Sequence, residues 1–168
     1  MRPQKVILIA GCLILVLLAM IFMNPTYRQV LQEVNVEKLA AAEEQGLLET
    51  KMPLGASAVV RNGCEVNGMT VGEIRFKIDG VRWVYRCAAV GEVTEPLTDI
   101  SETGDDFAQK HTTQVMDCPA EIWVNSGENG KIIWMDPVGG GAYSLIVEDD
   151  ADGDALQSIA DFMHTPLK

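Results

Sequence analysis

The run of eighteen apolar residues from Val6 to Met23 constrains this chain more than any other feature. It contains no charged residue, and a helix of this length, rising about 1.5 Å per residue, covers the hydrocarbon layer of a bilayer. Because a helix satisfies its own backbone hydrogen bonds, such a segment is stable in lipid. Arg2 and Lys5 precede it, and basic residues tend to stay on the cytoplasmic side. We therefore expect a single-pass cell-membrane protein with a cytoplasmic N-terminus and the rest of the chain outside the cytoplasm.

Two other interpretations of this segment remain open. A cleaved secretory signal usually has a shorter apolar core and a small-x-small site, and no such site follows Met23. The sequence from Ile9 to Cys12 resembles a lipobox, but the residues after Cys12 are strongly hydrophobic, where a lipidated N-terminus is usually polar. An uncleaved anchor spanning residues 6–23 fits the pattern best.

Charge excludes one class of partner for the remainder of the chain. The sequence has 24 acidic and 13 basic side chains, and two of the basic ones, Arg2 and Lys5, precede the anchor, so the remainder carries a net charge of −13. A surface this acidic repels the phosphates of nucleic acids and favours solubility. We expect no nucleic-acid binding, whereas an envelope protein or another envelope ligand remains a candidate partner.

Three regions follow from the pattern of the chain. Residues 1–24 are the cytoplasmic tail and anchor. Residues 25–54 favour a juxtamembrane helix, either one helix or two short ones with Asn35 capping the second, followed by a connection after Gly46. Residues 55–168 are rich in strand signals and form the predicted extracytoplasmic domain.

Turn-forming dipeptides and the alternation of apolar with polar residues predict an antiparallel sheet in this third region. Asn67-Gly68 and Asp79-Gly80 separate three alternating runs, and both dipeptides tolerate the positive φ angles of tight hairpins. Further strand patterns follow a long polar segment from Gly91 to Lys110, which we expect to be a surface loop. An amphipathic helix is predicted from Asp154 to Met163. The expected fold class is α+β, with a curved antiparallel sheet of six or seven strands and the C-terminal helix packed on one face.

The order of these motifs resembles a bacterial family of extracytoplasmic domains of unknown function. The motifs are Tyr85-Arg86-Cys87-Ala88, Trp134, Tyr143-Ser144-Leu145, and a final helix preceded by acidic residues from Asp150. Members of that family occur on membrane-anchored or secreted proteins of gut Firmicutes, and some are fused to anti-sigma-factor-like chains. The resemblance covers roughly residues 40 to 164 and implies fold and location, without catalytic residues. This chain departs from the family pattern at Cys87.

Cysteines outside the anchor permit at most one intramolecular disulfide. Cys64, Cys87 and Cys118 would lie where disulfides persist, and the sequence leaves open which pair forms. Their spacing matches no zinc pattern, and neither His111 nor His164 lies at ligand spacing from them.

The acidic run before the final helix has one metal interpretation. Asp150, Asp152 and Asp154 have the 1, 3, 5 spacing of a calcium loop, but Ala155 stands where the sharp turn requires glycine. We favour the alternative that these carboxylates gather at the helix N-terminus, where the helix dipole stabilises them. No nucleophile motif accompanies either histidine, so we predict neither catalysis nor a cofactor.

Aromatic residues offer the remaining candidate site. On the predicted strands they either line an apolar pocket or pack in the core, and core packing is favoured. The residues are Trp83, Tyr85, Trp123, Trp134 and Tyr143. The sequence thus predicts a membrane-tethered extracytoplasmic binding or sensing domain. The alternative is a carrier or chaperone for apolar envelope molecules that uses the aromatic face.

Overall fold

The computed structural model describes residues 35–90, 97–104 and 106–167. They form an α+β fold with one seven-stranded antiparallel sheet and a C-terminal helix, as predicted. The predicted membrane segment, Val6 to Met23, lies outside the described residues. Within the described ranges, no helix combines the length and the apolar character that crossing a bilayer requires.

Two helices and seven strands make up the described chain. In chain order they are α1 (Val36–Glu44), β1 (Ser57–Val66), β2 (Met69–Ile78), β3 (Val81–Ala89), β4 (Gln109–Val115), β5 (Cys118–Val124), β6 (Gly130–Asp136), β7 (Gly141–Val147) and α2 (Gly153–Met163).

The sheet joins two meanders. Its strand order is β1-β2-β3-β7-β6-β5-β4, and every neighbouring pair is antiparallel. The first meander therefore contributes β1 to β3 and the second β4 to β7, and they meet where β3 pairs with β7. In consequence β1 and β4 are the edge strands, and β7 and β6 lie in the interior of the sheet.

Tight turns connect the strands of the first meander as predicted. Asn67 and Gly68 have φ angles of 51° and 79°, and Asp79 and Gly80 have φ angles of 52° and 86°. Two consecutive positive φ angles are the signature of the type I′ turn, whose twist matches that of the flanking strands. These dipeptides set the register of β1 to β3.

Helix α1 has Asn35 as its N-cap, as in the second of the two predicted alternatives, and it ends before Gly46, the predicted stop. The side chain of Asn35 accepts a hydrogen bond of 3.1 Å from the backbone N–H of Lys38, which caps the first turn. At the other end Gly46 adopts a φ of 68°, and the N–H of Leu47 bonds to the carbonyl of Ala42. This glycine therefore stops the helix.

A pair of glycines allows α1 and the chain after it to lie directly on the sheet. Gly63 of β1 pairs with Gly72 of β2. A Cβ on Gly63 would overlap the carbonyl group of Lys38, and one on Gly72 would lie 2.7 Å from the carbonyl oxygen of Leu47. Leu47 is itself buried. The segment after α1 thus packs against the sheet, and Asn35–Lys168 form one compact unit.

Helix α2 covers the same face of the sheet, here called the helix face, over β4 to β7. Its apolar residues Leu156, Ala160 and Met163 are fully buried, so the predicted amphipathic packing is confirmed. Apolar side chains of both helices and of all strands but β1 form one core between helices and sheet.

The opposite face of the sheet, here called the second face, is covered by residues 97–104. Every position of β6 and β7 is buried, which requires cover on both faces. Ile100 is completely buried in a second apolar cluster with residues of β1, β2, β3, β6 and β7, and Ser101 is also buried. The prediction of a surface loop from Gly91 to Lys110 was therefore wrong for these residues, and also for Gln109 and Lys110, which begin β4.

Arg86 fastens this segment to the sheet. Its guanidinium donates to Oε2 of the buried Glu73 at 2.8 Å and to the carbonyl oxygens of Ile100 and Ser101 at 3.0 and 2.8 Å. Glu102 lies 2.8 Å from the same guanidinium. One side chain of β3 therefore binds β2 and the covering segment together, with hydrogen bonds that are stronger because the donor is charged.

Lys131 of β6 makes a second attachment. Its fully buried ammonium donates to Asp99 at 2.7 Å and to the carbonyl oxygen of Thr103 at 3.3 Å, and it lies 4.4 Å from the ring centroid of Trp123. Burial opposes ionisation of Asp99, but the bonds and charge of Lys131, with bonds from Ser101, lower the pKa of this carboxyl.

The glycine pair yields a direct test. We expect Gly63→Ala to lower the free energy of unfolding by about 3 kcal/mol, because a methyl group there overlaps helix backbone, which cannot rotate away as a side chain can. Gly104→Ala is the matched control, since nothing lies within 4 Å of its added Cβ. Thermal and urea unfolding of the full chain in mild detergent would measure both. Equal stability of the two variants would contradict the described contact.

Candidate functional site

Four of the five predicted aromatic residues lie in the helix-face core. Trp83, Tyr85, Trp134 and Tyr143 are each at most 6% exposed. The rings of Trp134 and Tyr143 stack with centroids 5.3 Å apart, and Tyr85 lies 6.2 Å from Trp134. The helices fill the space above them, so these residues are core residues, as favoured, rather than the lining of an open pocket.

Trp123 does not belong to this group. It pairs with Lys110 and Lys131 on the second face, because its neighbours Ile122 and Val124 take the helix-face positions of β5. Its indole lies between two ammonium groups, 4.0 Å from that of Lys110 and 4.4 Å from that of Lys131. The inclusion of Trp123 in one aromatic face was wrong, since side chains alternate along a strand.

Cys64, Cys87 and Cys118, among which the sequence permitted one disulfide, are free thiols. Cys64 pairs with Val71 and Cys87 with its neighbour Gly72, so these two cysteines lie on opposite faces of the sheet. Cys118 on β5 is separated from Cys87 on β3 by two strands, which places them roughly 14 Å apart at about 4.8 Å per strand. A disulfide requires Cα atoms within about 7 Å.

Cys118 and His164 form a thiol–imidazole pair that the sequence did not indicate. Sγ of Cys118 lies 3.8 Å from Nε2 of His164. The indole N–H of Trp134 donates to Nδ1 of the same ring at 3.1 Å, and an indole nitrogen can only donate. The neutral imidazole therefore carries its proton on Nε2, facing the sulfur.

The electrostatics of this pair oppose thiolate chemistry. Burial raises the pKa of the Cys118 thiol to about 11, with contributions from Asp136 and Asp117. Burial lowers the pKa of His164, although Asp136 and Asp161 act in the other direction. Both shifts favour the neutral pair over thiolate and imidazolium, whereas a nucleophilic cysteine requires a lowered thiol pKa.

The acidic run before α2 serves the helix rather than a calcium loop. Asp152 is the N-cap, and its side chain accepts from the N–H of Asp154 at 3.1 Å. Asp150 lies in a bend with a φ of 56°, and Asp161, within α2, accepts from the N–H of Met116 at 2.7 Å. Among the residues that the structure describes, no three carboxylate, imidazole or thiol groups are placed to hold a metal ion.

A cleft of about 530 Å³ opens between the N-terminal end of α2 and edge strand β4. Its floor is apolar, with Ile122, Val124 and Ala151, and its walls carry polar groups of β4, of the turn after β5 and of the start of α2. Its volume lies within the range of ligand sites, but polar residues predominate in its lining, whereas apolar residues predominate in most such sites. The polar lining residues are Gln109, His111, Thr113, Ser126, Asp152, Asp154 and Gln157.

Bonds farther along α2 fix the width of this cleft. Gln157 donates from Nε2 to the carbonyl oxygen of Gln114 at 2.6 Å, and its Oε1 accepts from the hydroxyl of Thr113 at 3.0 Å. Asp161 binds the next turn of the chain at Met116. Gly153 has no side chain, and a Cβ there would lie 3.9 Å from the ring of His111, so the space stays open.

Sequence reasoning missed this cleft because its residues come from separate segments. His111 carried a signal, as one of two histidines, but it directly follows the segment from Gly91 to Lys110 that was expected to be a surface loop. Once β4 begins at Gln109, alternation places Gln109, His111 and Thr113 on one face. Their side chains then face the start of α2.

No protein-family model, curated protein or solved structure matches this chain. The resemblance to the extracytoplasmic family therefore remains a prediction from its motifs. In the structure these motif residues have packing roles, since Trp134 and Tyr143 are core residues and Arg86 holds the covering segment.

The lowered pKa of His164 gives a pH prediction. Below its usual pKa of 6.5 the unfolded imidazole binds a proton more readily than the folded one, so stability contributed by the neutral ring is lost as pH falls from about 7 through the folded pKa. We expect the Tm of the full chain to drop more between pH 7.5 and 5 than that of His164→Gln, which keeps an acceptor for Trp134 without titrating. Identical pH profiles for the two proteins would contradict this assignment.

Proposed function

We propose that this chain is a binding or sensing domain that its N-terminal apolar segment tethers to the outer side of the cell membrane. The observation that carries the binding role is the cleft beside α2, with an apolar floor and polar walls. A floor of this kind supplies affinity by removing apolar surface from water, and the surrounding polar groups supply orientation and specificity.

Two sequence features support the tether and its orientation. The segment from Val6 to Met23 has the length and composition of a membrane helix, and Arg2 and Lys5 lie before it. The remaining chain, with its net charge of −13, suits a domain surrounded by water beside an anionic surface that repels it.

The arrangement of reactive groups supports binding rather than catalysis. The Cys118–His164 pair is held neutral, and burial raises the pKa of the Cys87 thiol to about 12. His111, the imidazole that lines the cleft, has Gln109, Thr113, Asp152 and Asp154 around it, and the hydroxyl of Thr113 donates to Gln157 at 3.0 Å rather than to this imidazole. A covalent mechanism needs a nucleophile within reach of such a base.

The alternative function, a carrier for apolar molecules, requires an accessible aromatic face, and these aromatic residues are buried. Trp134 and Tyr143 are completely buried beneath the apolar residues of α2, and Tyr85 is 1% exposed. A lipid-sized ligand would have to displace the helix to reach these rings. We therefore place the binding function at the cleft.

Site-specific crosslinking in living bacteria would test the proposal. A photo-crosslinking phenylalanine analogue at position 111, inside the cleft, is expected to capture a partner or ligand, whereas the same group replacing Glu43 on the exposed side of α1 captures none. Gly153→Leu in the first protein should abolish capture, because the added side chain fills the cleft next to His111.

Orientation is measured on the same material. In spheroplasts, protease added from outside should remove the captured product, and deletion of residues 6–23 should release the chain from the membrane fraction. Equal capture at positions 111 and 43, or capture that resists outside protease in intact spheroplasts, would refute the proposal.

A further inference from the structure

Edge strand β4 borders the cleft from Gln109 to Thr113. It pairs with β5 on one side only, and it is the last strand of the sheet. A strand with one free side presents unpaired N–H and C=O groups that another chain can bind. Four of its first five residues, Gln109 to Thr112, are exposed.

The hairpin between β4 and β5 determines which backbone groups point outward. Val115 and Cys118 flank a two-residue turn, Met116-Asp117, and residues that flank such a turn exchange both backbone hydrogen bonds. Alternation then directs His111 and Thr113 toward β5 and directs Lys110, Thr112 and Gln114 away from it. The hydrogen bond of the Gln114 carbonyl is consistent with this assignment, because this oxygen accepts from Gln157 of α2 instead of from β5.

Between Gln109 and Thr113 this edge lacks the usual protection against pairing, whereas the outward carbonyl of Gln114 is already bonded to Gln157. Edge lysines ordinarily discourage an added strand. Here the ammonium of Lys110 folds back over the second face, 2.9 Å from Glu121 and 4.0 Å from the centroid of Trp123. The other edge strand, β1, is protected, since its register shifts between Ser57 and Val60 and α1 packs on it.

The chemistry of the cleft selects the occupant. Residues of an added strand that face the helix side would lie beside Gln109, His111 and Thr113, at the mouth of the cleft. The cleft carries the carboxylates of Asp152 and Asp154, and its described lining contains no lysine or arginine. A second copy of this acidic chain would be repelled, whereas a basic side chain is attracted.

We infer that β4 accepts an extended segment of a partner protein as an eighth strand, with a lysine or arginine of that segment in the cleft beside Asp152 and Asp154. The inference rests on the proposed binding function and names its partner class. Backbone bonds to β4 supply affinity, and the cleft supplies selectivity for the basic side chain.

Binding of designed peptides to the full chain in neutral detergent tests this inference. The probe is a capped, dye-labelled octapeptide that alternates threonine with valine and has one central lysine, followed by fluorescence anisotropy up to millimolar protein. Its counterparts replace the lysine with glutamate or methylate alternate backbone nitrogens. We expect the lysine peptide to bind, the glutamate peptide to bind at least tenfold more weakly, and the methylated peptide not to bind.

Three variants separate the contributions. Thr112→Pro removes an outward N–H and leaves the bonds to β5 intact, a position where an edge strand tolerates proline, so binding should weaken at least tenfold. Thr112→Val keeps that N–H and should bind as the unaltered chain does. Asp154→Asn should weaken the lysine peptide about three- to fivefold, and added salt should remove this difference. Circular dichroism verifies that each variant is folded.

Equal binding of lysine and glutamate peptides, or full binding by a folded Thr112→Pro chain, would overturn the inference. So would dimerisation of the full chain through β4 that excludes the peptides. If crosslinking at position 111 still captures a partner when Thr112 is proline, the binding function stands and strand addition fails. The two proposals therefore fail by different results.

Discussion

The burial of β6 and β7 on both faces is the constraint on which the rest of this structure depends. All seven positions of each strand are buried, so neither face of the sheet centre can be left to solvent. The helices supply one cover and residues 97–104 the other. Different features hold the two covering layers close to the sheet. The Gly63–Gly72 pair leaves space for α1, and hydrogen bonds from buried charged side chains hold the covering segment.

Those buried charges fasten an irregular segment that has few apolar residues of its own. Ion pairs of this kind add little net stability, because removing both charges from water costs about as much as their attraction returns. They are nevertheless directional. Arg86 binds two backbone carbonyls and Lys131 binds a carboxylate and a third carbonyl, so the covering segment has one position on the sheet. Removal of one partner would leave the other charge buried without compensation.

Much of the fold could be predicted from the sequence, because local signals were strong where turns were tight. Asn67-Gly68 and Asp79-Gly80 fixed three strands, and the spacing of Leu156, Ala160 and Met163 fixed α2. The turn at Met116-Asp117 was missed because it contains no glycine, although Met116 adopts a φ of 52°. Without this turn, the pairing of β4 with β5 could not be predicted.

Long-range pairing explains the other failures. Nothing near Ile100 in the sequence shows that Arg86 and Lys131 bind its segment. Arg86 lies 14 residues before Ile100, and β4 and β5 lie between Ile100 and Lys131. The role of the Gly63–Gly72 pair could not be predicted from the neighbouring sequence either, because these glycines are required by the close approach of α1, which precedes them in the chain. The cleft combines β4, β5 and α2, and it exists only after the sheet has formed.

Native-state amide hydrogen exchange of the full chain, resolved by residue, tests this account most directly. If β6 and β7 are covered on both faces and β4 has a free outer side, amides of β6 and β7 should exchange only through global unfolding. The outward amides of Lys110 and Thr112 should exchange orders of magnitude faster than those of His111 and Thr113. Uniform exchange along β4, or unprotected amides in β6 and β7, would contradict the account.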